Sequence, residues 1–127
     1  MSDLPPEGIK VLDFSRLLPG PFATLLLADM GAEVLKVEDT RGGDYARYFP
    51  PMAEGHGAFF ASLNRNKRSM TLNLKHEDGV KLAQDLIRDA DVLIESFRPG
   101  VMARLGIGPE EAREVNPKLI YVSISGF

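Results

Sequence analysis

Gly8-Ile9-Lys10-Val11-Leu12-Asp13-Phe14, Leu17-Leu18-Pro19-Gly20-Pro21, Phe22 to Met30, Gly31 and Glu33-Val34-Leu35-Lys36-Val37-Glu38 follow one another with almost nothing between them. The first run is short, apolar and partly β-branched, which predicts a buried strand. The Pro/Gly cluster predicts a turn, with Pro21 suited to the first position of a helix, where its missing N–H costs nothing. Phe22 to Met30 is apolar on most sides, so the expectation is a well-buried helix. Gly31 stops it in the usual C-terminal place. Residues 33–38 are then a second strand, and the whole is a compact βαβ crossover.

Outward from this unit, residues 39–57 show no period and hold Gly42, Gly43, Pro50, Pro51, Gly55 and Gly57. A long irregular loop is expected there, functional or mobile. Ala58 to Leu63 suits one helical turn. Met70-Thr71-Leu72-Asn73-Leu74 alternates and predicts a third strand. His76 starts an amphipathic helix that runs to Asp89, with Val80, Leu82, Ala83, Leu86 and Ile87 on its inner face. Asp91 to Glu95 is a fourth strand, Val101 to Leu105 a short helix, and Pro109-Glu110-Glu111 the opening of another. Asn116-Pro117 ends that helix, and Leu119 to Ile124 is a fifth strand. Alternating strands and helices predict an α/β fold with a mainly parallel, doubly wound sheet and flanking helices. No covering helix follows the last strand, so the 127 residues are expected to be part of something larger, or to have that edge covered by a partner.

Composition narrows the classes. Apolar residues make up 44% and charged residues 26%, as in a globular chain rather than a disordered one. No apolar run approaches the roughly 18 residues of a membrane span, and the first eight residues lack the basic and apolar regions of a secretory signal. The absence of cysteine excludes disulfides, a thiolate nucleophile and a Cys-based zinc site, and is compatible with a cytoplasmic location. The net charge of −3 implies no general adhesion to nucleic acid or membrane. Its distribution is uneven: residues 64–76 carry Arg65, Lys67, Arg68 and Lys75 with no acid among them.

In open α/β sheets ligands bind beyond the carboxyl ends of the strands. Four segments lie there: Ser15-Arg16-Leu17-Leu18-Pro19-Gly20, Asp39-Thr40-Arg41-Gly42-Gly43, Lys75-His76 and Ser96-Phe97-Arg98-Pro99-Gly100, with Arg104 one helical turn further on. The first is not the G-x-G-x-x-G dinucleotide fingerprint, and Pro21 removes an N–H that a phosphate would use, so ordinary NAD binding is disfavoured. What remains is a rigid apolar turn, either a plain helix start or a rest for a flat ring. The basic run from Asn64 to Ser69 is either a solvated face or an anion site. Together with Arg98 and Arg104 it suits a polyphosphate better than a single carboxylate. Asp13, Glu38 and Glu95 each end a strand. They are either acid–base groups or, the simpler reading, acceptors that tie down the next loop. His56 and His76 lack metal-ligand spacing, so no metal site is expected. Ser15, Ser123 and Ser125 lack any G-x-S-x-G context, so a hydrolase triad finds no support.

Read in series, these stretches resemble a known family. The blocks are Gly8 to Ser15 with Pro19-Gly20-Pro21; Leu27 to Glu38; Asn64 to Ser69 with Leu72-Asn73-Leu74-Lys75; Ala90 to Val101; Arg104-Leu105-Gly106; Asn116-Pro117; and Ser123-Ile124-Ser125-Gly126-Phe127. In order and interval the chain resembles the N-terminal part of the family III CoA-transferases, the CaiB/BaiF family. The resemblance implies a Rossmann-like large domain, of which residues 1–127 are the first part, in an interlocked homodimer. It implies transfer of CoA between an acyl-CoA and a carboxylic acid through an aspartyl intermediate. The family's nucleophilic aspartate lies beyond Phe127, so no catalytic residue is expected in this chain, and the chain alone is expected to be inactive. CoA or acyl-CoA enters as substrate, with no prosthetic group. By resemblance, Leu17 and Leu18 line the adenine end, Leu72 and Lys75 border the nucleotide, and Ser96, Phe97, Arg98 and Arg104 approach the adenosine and its phosphates. Many relatives carry Arg immediately after the Val-Glu of the second strand; Asp39 stands there in this chain, with Arg41 as the nearby substitute. Ser96 stands where Asn is frequent. The rival readings are an acyl-CoA racemase of the same family, a non-catalytic CoA-binding or dimerisation module, and a generic nucleotide-binding domain.

Overall fold

The structure, a computed structural model, describes residues 7–53 and 55–125. The expectations for Met1–Pro6 and for Gly126-Phe127 fall outside the described residues. In chain order the elements are β1 (Lys10–Phe14), α1 (Pro19–Asp29), β2 (Glu33–Glu38), a 3-10 turn (Tyr45–Tyr48), β3 (Met52–Ala53), β4 (His56–Gly57), α2 (Ala58–Asn64), β5 (Lys67–Thr71), α3 (Glu77–Arg88), β6 (Val92–Glu95), α4 (Val101–Arg104), α5 (Pro109–Val115) and β7 (Ile120–Ser123).

Five strands form one parallel sheet in the order β5-β2-β1-β6-β7. The chain winds outward from β1 through β2 to β5, then crosses to the other side for β6 and β7. The winding therefore reverses between β1 and β6, the place where open sheets of this order leave a crevice. Lys10 donates its N–H to Asp91 Oδ2 at 2.8 Å and helps fix the start of that pairing.

Strand alternation splits the core in two. Leu12, Phe14, Val37, Leu72 and Leu93 face α3, α4 and α5, packing on Ala83, Ile87, Met102, Ile107 and Ala112. Val11, Val34 and Ile94 face α1 and pack on Ala28 and Ala32. Burying a side chain such as Ile87, Leu93 or Ile107 stabilises by about 1.5–3 kcal/mol.

Several boundaries differ from the sequence expectations. The cluster Pro19-Gly20-Pro21 is the first turn of α1 itself, with a proline at the start. Gly20 permits this because the helix runs against the preceding loop: a Cβ there would lie 2.1 Å from Ser15 Cβ. Nor is α1 buried all round. Leu18 just before it, Phe22 and Leu26 within it and Met30 just after it are 49%, 49%, 45% and 41% exposed. Residues 39–57 are more ordered than a plain loop, holding the 3-10 turn and the antiparallel β3–β4 hairpin. The third sheet strand begins at Lys67 rather than Met70, and Leu82 of α3 is exposed. His76 caps α3 as expected, accepting the Asp78 N–H at Nδ1.

Candidate functional site

On the α1 side of the sheet the apolar alternation stops at the carboxyl ends. Asp13 on β1, Lys36 and Glu38 on β2, and Lys67 and Ser69 on β5 continue the face begun by Val11 and Val34, in register Asp13↔Lys36 and Lys36↔Ser69. Charges in such a place persist only when paired and hydrogen-bonded. Lys67 Nζ lies 3.2 Å from Asp13 Oδ2 and donates to the Pro21 carbonyl and to Asn64 Oδ1. Asp13 also accepts from the Ser15 N–H and from the Ser15 and Thr24 hydroxyls. Lys36 Nζ lies 2.9 Å from Asp44 Oδ2 and donates to the Ser15 carbonyl. Asp44 accepts the N–H groups of Leu17 and Ala46. Glu38 takes Arg47 in a two-pronged pair at 2.6 and 2.7 Å, together with the Ser69 hydroxyl and the Asp44 N–H.

This network shapes the rim. Burial pushes the Glu38 carboxyl up, but the hydrogen bonds from Arg47, Ser69 and the Asp44 N–H, with the Arg47 charge, outweigh it and hold the group down at about 2. Burial lowers the Lys67 ammonium, aided by the like charge of Lys36 and opposed by Asp13. On the far half of the rim, Glu95 accepts the Phe97 N–H and the Ser123 hydroxyl. Asp13, Glu38 and Glu95 therefore act as the loop-tying acceptors of the simpler reading. Among the described residues no group of His, Asp and Glu is placed to hold a metal ion.

The cationic run does not act as one patch. Lys67 is drawn into the interior, Arg65 pairs with Asp29 on the surface at 2.8 Å, and Arg68 turns to the opposite face of the sheet. The other sequence-selected residues are placed as follows. Leu17 is backed by Asp44 and held at φ 71°, a left-handed conformation costly for leucine, and both Leu17 and Leu18 are exposed. Arg41 is exposed, its N–H held by Asp39 Oδ1. Leu72 is buried in the α3-side core, its N–H donating to the Glu38 carbonyl. Lys75 is exposed, with its N–H on Asn73 Oδ1. Ser96 Oγ accepts the Arg16 N–H at 3.0 Å, so the loops after β1 and β6 are bonded across the crevice. Arg98 and Arg104 are both exposed; Arg104 closes α4 and folds back so that a Cβ at Gly100 would lie 3.7 Å from its Nη1. The ring of Phe97 is half-buried, with the Arg16 guanidinium carbon 4.8 Å from its centroid.

Sequence reasoning missed Arg16 as a distinct element and missed the burial of Lys36 and Asp44. Lys36 had a legible signal, a charge in the middle of an apolar strand, which demands a partner. A cleft of about 650 Å³ lies away from this rim. It opens toward the amino ends of the strands, between β2–β5 and α3, lined by Leu35, Met70, Leu82 and Leu86. Its charged lining is Lys10 and Arg68 against Glu33, Asp85 and Asp89, a balance unsuited to a polyphosphate. No helix among the described residues is long and apolar enough to cross a membrane.

With this arrangement in view, the chain can be set beside known proteins. Residues 7–127 match the profile described as "CoA-transferase family III". The chain is 44% identical over 124 residues to the human succinyl-CoA:glutarate CoA-transferase, covering 97% of this chain and 28% of that protein. It is 45% identical to the acetyl-CoA:oxalate CoA-transferase of Acetobacter aceti, covering 97% and 32%. Among solved structures, a CaiB/BaiF family protein from Brucella suis superposes with a TM-score of 0.91 at 41% identity, covering 97% of this chain and 34% of that one. The chain thus spans about a third of the length of these relatives. Sequence and fold agree, and the chain belongs to CoA-transferase family III.

Proposed function

We propose that this chain is the CoA-binding part of a CoA-transferase that moves CoA between an acyl-CoA and a carboxylic acid, the attacking aspartate being supplied from outside these 127 residues. The observation that carries this reading is the state of the rim. The buried strand-end carboxylates Asp13, Glu38 and Glu95 are all spent on loops, while the cations Lys75, Arg98 and Arg104 stand in solvent on the neighbouring turns. Such a surface grips phosphates and does not itself attack a thioester. Leu17 and Leu18 offer an exposed apolar shelf for the adenine, Lys75, Arg98 and Arg104 reach the phosphates, and Arg41 serves where relatives carry Arg after β2. Leu72, Ser96 and Phe97 shape the pocket wall from behind. The named activities of the relatives are transfers, which favours transfer over racemisation. The domain is taken as Rossmann-like, in a cytoplasmic protein that works as an interlocked homodimer.

The test is calorimetric titration with CoA. Arg98→Ala with Arg104→Ala is expected to raise the CoA Kd at least tenfold; unchanged binding refutes the assignment. Turnover of an acyl-CoA and a carboxylate by the 127-residue chain alone refutes the external nucleophile.

A further inference from the structure

Arg16 is held in an unusual way for a charged side chain at a strand end. Its guanidinium carbon lies 5.1 Å from the centroid of the Tyr45 ring and 4.8 Å from that of Phe97. The two rings come from different loops, after β2 and after β6. Its own N–H is bonded to Ser96 Oγ, so Arg16 bridges β1 and β6 at the point where the winding of the sheet reverses. Contacts of this kind over ring faces are attractive and leave the N–H donors at the guanidinium edge available. Among the described residues no acceptor meets those donors, whereas Arg47, Arg65 and Arg88 each have a carboxylate. A planar fork fixed by aromatic rings, half-buried and without an anion of its own, is preorganised for one.

We propose that Arg16 is a substrate-binding residue that takes the free carboxylate of a dicarboxylic acid, and so sets the class of acid the enzyme accepts. The inference rests on the CoA-transferase reading above. Among the described residues the other unpaired cations at this end, Arg41, Lys75, Arg98 and Arg104, are exposed and suit strongly hydrated phosphates. Arg16 alone is partly withdrawn from water between rings, a setting that suits a planar, more weakly hydrated carboxylate. The acid's other carboxyl group is left free to react.

The experiment compares glutarate with valerate, acids of equal chain length that differ in one carboxylate, in the complete protein that carries this segment. Arg16→Met keeps a stem between the rings and removes the fork; Arg16→Lys keeps the charge without the fork. Arg16→Met is expected to lower kcat/KM for glutarate at least tenfold, mainly through KM, with valerate and the CoA Kd within twofold of wild type. Arg16→Lys should fall between. Equal losses for both acids, or no loss, overturn the proposal, as does a rise in the CoA Kd without an effect on glutarate, which assigns Arg16 to a CoA phosphate. If the wild type transfers CoA to no acid, the functional reading fails, and calorimetric titration with glutarate alone decides the inference. Glutarate binding that Arg16→Met weakens tenfold supports it; binding that is absent or unaffected overturns it.

Discussion

The Lys36 ammonium sits 2.9 Å from the Asp44 carboxylate, and neither side chain is more than 1% exposed. The pair joins the middle of β2 to the loop that follows it. Through the Ser15 carbonyl on one side and the Leu17 N–H on the other it also fixes the loop after β1. Its Asp44 carboxylate accepts the N–H of Leu17, the leucine held at φ 71°. Removing one partner leaves the other as an unpaired buried charge. Lys36→Met and Asp44→Asn should each destabilise by about 3–5 kcal/mol, and the double variant by clearly less than their sum. Urea denaturation of the four proteins in a double-mutant cycle measures the coupling; additive losses show that the pair does not act as one unit.

Gly20 is required for lack of room rather than for its backbone angles. A methyl group there meets Ser15 Cβ at 2.1 Å and Ser15 Oγ at 2.3 Å, and Ser15 cannot swing away without releasing Asp13. Gly20→Ala is expected to cost about 1–3 kcal/mol by overpacking. Ser15→Gly in the same chain opens the space, so the double variant should melt above Gly20→Ala alone. Scanning calorimetry reads the order, and a double variant that melts lower than either single one rejects the steric account.

Acid should loosen the rim through Glu38. Its folded carboxyl, held at about 2, lies below the ordinary value of 4.5. Between these values the unfolded chain binds the proton and the folded chain does not, so stability from this group is full above about pH 5 and is lost as pH falls toward 2. The contribution is about 3 kcal/mol at most. Glu38→Gln should be less stable at neutral pH and show a flatter acid limb in stability measured from pH 6 to 2.5. An acid limb of unchanged steepness in Glu38→Gln assigns the loss to other carboxylates.

The βαβ unit and the parallel sheet were legible because they rest on local signals. Val11, Leu12 and Phe14 are apolar with no competing pattern, and Gly31, at φ 105° just past α1, takes the left-handed conformation with which helices commonly end. The third strand was read three residues late because Lys67 and Arg68 look like loop residues. Met70, Leu72 and Leu74 do pack into the α3-side core, although β5 itself ends at Thr71. What their alternation hid was that Lys67 enters the sheet because Asp13, 54 residues earlier, is there to receive it. The same long-range pairing scattered the basic run that sequence reading had grouped. Arg16 was invisible for a similar reason: its meaning comes from Tyr45 and Phe97, which only the folded sheet brings to it.

Leu18, Phe22, Leu26 and Met30 recur every fourth residue, which places them along one side of α1, and all four are at least 41% exposed. An apolar stripe of this length is sticky in water. The 127-residue chain taken alone is therefore expected to self-associate as its concentration rises. Leu26→Lys puts a charge in the middle of the stripe at a position that makes no core contact. It should weaken that association about tenfold, the equivalent of roughly 1.4 kcal/mol, while leaving the melting temperature within a degree or two. Sedimentation equilibrium over a hundredfold range of concentration gives the constant. A wild-type chain that stays monomeric throughout, or a Leu26→Lys chain that associates as strongly, removes the stripe as the cause.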